Sequence, residues 1–135
     1  MNISTWDPNA NTEKSHDNID ANFLNAIIKR VHVEGLENVE QWLSKEEQQQ
    51  QQTLMQQSKE SWLTISSTLS NDDITALIKF FTLAEICYPQ WEAGEKSPVI
   101  GLAKTLRKKN GGLEKDLLKW IKSHTRNKFL PYGPL

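Results

Sequence analysis

A chain of 135 residues with 37% apolar residues and five Trp is one domain's length and can bury a core without disulfide or metal staples. Its single cysteine, Cys87, excludes an intramolecular disulfide and any multi-cysteine metal site, and a lone thiol suits a reducing compartment. The net charge of −1 divides unevenly: residues 100–135 carry nine Lys or Arg against two acids, a net +7, and residues 1–99 carry a net −8.

The opening "MNISTWDPNANTEKS" has no basic start followed by an apolar run, so no secretory signal is expected. No apolar run is long enough for a membrane span, and a cytoplasmic location is expected. Residues 1–17 are polar, with Trp6 the one large apolar side chain after Met1 and Ile3, and are predicted to form a flexible tail.

Helical spacing begins at Ile19. Ile19, Phe23, Ile27 and Val31 recur at four-residue intervals, with Leu24 and Ile28 beside them. Asp17 or Asn18 is the expected cap and Gly35 the expected stop. Leu36, Val39, Trp42 and Leu43 open a second amphipathic stretch, which runs into five glutamines at 48–52. Glutamine is a good helix former. Helix is therefore predicted over most of 37–68, with a break near the glutamines or a flexible connector through 45–57 as the alternative.

Ser70 followed by Asp72 and Asp73 marks the next helix start, because a serine oxygen accepts from a first-turn amide and acids suit the helix dipole. The helix at about 72–88 is apolar on most sides through Ile74, Leu77, Ile78, Phe80, Phe81, Ala84 and Tyr88, which predicts a central position. Pro89 ends it. Ser97-Pro98 starts another that stops at Asn110-Gly111-Gly112, and a last helix is predicted at about 113–124. No alternating strand pattern appears. The expected fold is all-α: a single-domain bundle or orthogonal array of five or six helices over 18–128, with an apolar extension at 129–135. The similarity between residues 35–45 and 112–123 is what two amphipathic helices following a glycine show by chance.

Chemistry is sparse. His16, His32 and His124 are scattered, with no spacing for a metal, so no metal ligand, cofactor or catalytic residue is assigned. Cys87 sits in an apolar helical stretch and reads as a core residue rather than a nucleophile. Asn110-Gly111-Gly112 lacks a phosphate-loop pattern and reads as a helix end.

Two features point to partners. Trp91, in a loop with Glu92 and Glu95, and the terminal Phe129, Leu130 and Tyr132 are candidate interface anchors, since loop aromatics serve that role; the structural alternatives are a Trp91 lid over the end of the central helix and a terminal segment folded back onto the bundle. Lys104, Arg107 and Lys108 on one helix, Lys115, Lys119 and Lys122 on the next, and Arg126 and Lys128 beyond resemble a helix-turn-helix outline with a cationic face. The leading expectation is a small, non-enzymatic protein-interaction domain, with self-association through the charge split as one form. The first alternative is a nucleic-acid-binding regulator using 104–128. The second is an enzyme whose site assembles from Glu85, Tyr88 and other scattered residues.

Overall fold

The computed structural model describes residues 19–91 and 93–125. Among them are six α-helices, four short 3₁₀ turns and no strand, so the chain is an all-α domain as expected. The helices are α1 (Ala21–Glu34), α2 (Lys45–Gln50), α3 (Lys59–Ser66), α4 (Asn71–Cys87), α5 (Pro98–Asn110) and α6 (Lys115–His124).

Local chemistry sets most boundaries. Asp20, rather than Asp17 or Asn18, caps α1, its carboxylate accepting from the Phe23 amide at 3.1 Å. Ser44 and Glu47 form a reciprocal capping box on α2. Ser58, Ser70 and Ser97 cap α3, α4 and α5, and Pro98 occupies the first turn of α5. Gly111 closes α5 at φ 75°, a left-handed conformation that disfavours side chains with a Cβ.

The helix predicted over most of 37–68 does break near the glutamines, and the stretch divides into α2, α3 and two 3₁₀ turns. Gln48, Gln49 and Gln50 close α2, and Gln52 opens the following 3₁₀ turn, so the tract is not a loose connector. Gln48 donates to the Leu43 carbonyl at 3.1 Å and Gln57 to the Thr53 carbonyl at 3.0 Å. The 3₁₀ turn at Gln52–Gln56 meanwhile buries Leu54 and Met55. Burial of that pair outweighs the helix propensity of glutamine, which is a weak preference.

α4 is central, as its all-round apolarity predicts. Ile74, Leu77, Ile78, Phe80, Phe81 and Ala84 are fully buried, and α1, α5 and α6 pack around it. Its two ends are tied to α5. Asn71 donates to Asn110 at 3.0 Å, and the Ser97 hydroxyl donates to the Glu85 carboxylate. These contacts make α4 antiparallel to α5. His32, expected to serve its own helix end, instead reaches from α1 to the Asp73 carboxylate in the first turn of α4 at 3.1 Å.

The α3–α5 pair runs the other way. Trp62 packs on Gly101, and the Ser66 and Thr105 hydroxyls meet at 2.7 Å in a buried contact. Ser58 and Ser97 open on the same cleft. A constant offset of 39 residues thus relates the two helices, which are parallel with their N-termini side by side. Glycine permits this closeness: a Cβ on Gly101 would lie 2.7 Å from the Trp62 Cβ and 3.4 Å from the Lys59 carbonyl oxygen.

Candidate functional site

Trp91 is not an exposed anchor. It is fully buried, its Nε1 donates to the Gln48 carbonyl at 2.9 Å, and its ring stands edge-on to Tyr88 with centroids 5.1 Å apart. An indole can close a core when its one polar atom finds an acceptor, and the folded glutamine segment supplies it. Tyr88 is buried too, its hydroxyl donating to the Val39 carbonyl, and burial pushes that hydroxyl up to about 12, with Cys87 adding to the shift. Val33 is the only exposed large apolar side chain among the described residues. The other anchor candidates, Phe129, Leu130 and Tyr132, lie outside the described residues, as do Glu92 and residues 1–17.

The cationic candidates divide. On α5, Leu106 and Asn110 line a cleft with Asn71, Asp72 and Thr75 of α4, Glu114 just before α6 and Leu117 within it. Lys104 and Lys108 precede those two residues by two positions each, about 200° around the helix. They therefore point away from α6, toward α3. On α6, Leu117 and Ile121 are buried, while Lys115, Lys119 and Lys122 face solvent. The continuous basic face imagined for 104–128 is thus two separate stripes among the described residues. Arg107, half-buried, is already engaged in an interaction, and Arg126 and Lys128 lie outside the described residues.

The α5 stripe gains partners that the sequence did not flag. Lys59, the first residue of α3, lies close enough to Lys104 for their charges to repel. Lys59, then partial burial, then Lys108 hold Lys104 below the ordinary lysine value, because like charges and desolvation disfavour a second ammonium. Glu60 opposes this shift as the weakest cause. A cleft of about 320 Å³ lies at the paired N-termini, walled by Gln57, Ser58, Lys59, Glu60, Trp62, Lys96 and Ser97 among others. Farther along the seam, Leu63, Ser67, Thr105, Lys108 and Lys109 line a second groove of about 250 Å³. Lys109 also donates to the Leu69 carbonyl.

The electrostatics of this end are unusual. Each helix N-terminus carries about half a positive charge. Two lie together here, and Lys59 and Lys96 add full charges where a helix dipole favours acids. Trp62, in the wall of the same cleft, holds the one buried side-chain polar atom without a partner among the described residues, its Nε1.

The Ser97 hydroxyl is committed between the Glu85 carboxylate and the Val99 amide at 3.2 Å. Burial, then Glu40, pushes the Cys87 thiol up, away from thiolate chemistry. The described residues hold no group of three or more His, Cys, Asp or Glu that could bind a metal, and no helix long and apolar enough to cross a membrane. Comparison with known proteins adds no relative: no family model, no curated protein and no solved structure matches the chain.

Proposed function

We propose that the protein is a non-enzymatic interaction domain that binds an acidic segment of a partner protein along the α3–α5 seam. The observation that carries this reading is the groove between the parallel helices α3 and α5, where Lys108 and Lys109 stand beside Leu63 and Ser67; Lys59 and Lys104 add charge along the same seam. The groove beside Lys108 and Lys109 has Leu63 in its lining. An apolar contact flanked by ammonium groups fits a peptide that mixes carboxylates with apolar side chains.

A labelled oligo-glutamate peptide tests the reading by fluorescence anisotropy. Binding should weaken as salt rises, because the contacts are ionic and partly exposed. Lys104→Glu with Lys108→Glu should abolish it, and Lys115→Glu with Lys119→Glu should leave most of it. Equal loss from both pairs would reduce the seam to general charge and defeat the proposal.

The exposed stripe Lys115, Lys119 and Lys122 on α6 supports a second reading, binding of nucleic acid. The stripe is all lysine, suited to phosphates rather than base edges. An oligonucleotide that binds more tightly than the peptide, and loses affinity on the α6 substitutions, would select this reading instead.

A further inference from the structure

Val33 stands in the last turn of α1 with 74% of its surface in water, alone among the large apolar side chains of the described residues. Acids frame it. Glu34 ends the helix and Glu37 follows the Gly35 turn, both exposed, and Glu34 pairs with Arg30 at 3.4 Å. The chain thus displays an apolar side chain flanked by carboxylates. The groove between α3 and α5 is the counterpart: Leu63 lies in its lining, with Lys108 and Lys109 exposed beside it. It holds about 250 Å³, room for a branched aliphatic side chain.

The fold places knob and groove at one end of the molecule. His32, next to Val33, reaches the Asp73 carboxylate at 3.1 Å and so holds the last turn of α1 to the first turn of α4. Lys109 donates to the Leu69 carbonyl, which ties the rim of the groove to the segment entering that same turn. Asn71 and Asn110 join at 3.0 Å beside it. Two features at one end can both be used when copies meet about a two-fold axis, because each copy gives its knob and receives the other's. A knob and groove at opposite ends would build an open chain of copies instead. Charge favours the meeting. Among the described residues Glu37, Lys108 and Lys109 form no ion pair, so each retains its charge for a partner.

We propose that the protein forms a two-fold dimer in which Val33 of each copy enters the other copy's α3–α5 groove against Leu63, with Glu34 and Glu37 facing Lys108 and Lys109. The inference rests on the seam reading above and names its occupant, a second copy of this chain.

Sedimentation velocity of the full chain over a range of concentrations is the first test. Monomer should give way to dimer as concentration rises, and added salt should loosen the dimer. Val33→Ser should weaken dimerisation about a hundredfold, which is about tenfold for each of the two valines withdrawn. Val33 is exposed in the monomer, so this variant should keep its thermal midpoint. A Val33→Ser variant that dimerises as tightly as the natural chain overturns the proposal.

Charge exchange is the second test. Lys108→Glu with Lys109→Glu should leave monomers, and so should Glu34→Lys with Glu37→Lys. An equimolar mixture of these two variants should dimerise again, because acids then meet lysines in both contacts. General surface charge would not give dimers that appear only on mixing in this pairing. Two folded variants that stay monomeric when mixed overturn the contact, and particles that grow beyond a dimer overturn the two-fold closure. A natural chain that is monomeric at every concentration, yet binds oligo-glutamate at the seam, would sink the second copy and spare the seam. Loss of peptide binding alone, with the dimer and its mixing response intact, would sink the acidic-peptide reading and leave the dimer.

Discussion

At the C-terminal end of α4, Tyr88 and Trp91 bury their rings and commit their polar atoms to the carbonyls of Val39 and Gln48. Across the Glu85–Ser97 contact lies the cleft at the N-termini of α3 and α5, where Lys59 and Lys96 share a wall and the Trp62 indole nitrogen has no acceptor. The two regions are neighbours with opposite polar accounting. The first is saturated, which is how a fold closes its core. The second leaves donors and like charges in excess, which stabilises nothing in the isolated chain and is the arrangement a ligand can complete. Aromatic content marks the structural corner, and unmatched cations mark the candidate site.

Trp91→Ala should draw this contrast most sharply. Truncating a fully buried Trp costs about 3–5 kcal/mol, which urea denaturation would measure. Loss below about 1 kcal/mol would mean that Trp91 does not close the core.

Gly101→Ala should come next, at about 1–3 kcal/mol, through overpacking against Trp62. Unchanged stability would refute the close-approach argument.

Tyr88 supplies a pH test of the saturated corner. Its neutral form is favoured in the folded chain, so its contribution is whole below the unfolded value of about 10. That contribution is lost as pH rises toward about 12. With Tyr132→Phe leaving Tyr88 as the only tyrosine, tyrosinate absorbance should show a midpoint near 12. A midpoint near 10 would contradict the buried hydroxyl.

The smallest effect is expected in the cleft. Lys59→Gln should change stability by less than about 0.5 kcal/mol, in the stabilising direction, because it removes repulsion without opening the core. A clear destabilisation would show that Lys59 serves the fold.

The lysines of the seam were in plain view along the chain, and Lys104 and Lys108 stand out by spacing alone. Their pairing was not. The helix-turn-helix outline linked them to Lys115 and Lys119 because those follow next, whereas α5 turns that face toward α3. Lys59 escaped notice as one charge among glutamines and serines, and the signal that could have found it is a cation at a capped helix start, where acids are usual. Trp91 misled for a similar reason. Its loop is polar, and the acceptor that lets it bury lies 43 residues earlier, on Gln48.

What the sequence determined by itself is local. Caps at Ser58, Ser70 and Ser97, the stop at Gly111 and the apolar stripe of α4 depend on neighbours within a turn or two, so period and residue type suffice to read them. The folded glutamine segment, the parallel pairing of α3 with α5 and the groove that sets Lys108 and Lys109 beside Leu63 were decided only by tertiary structure. Each depends on which faces bury together across some 40 residues, as the 39-residue separation of Ser66 and Thr105 illustrates. Nothing in the spacing along the chain encodes that choice, because it is made by packing around α4 and by the one position, Gly101, narrow enough to let Trp62 in.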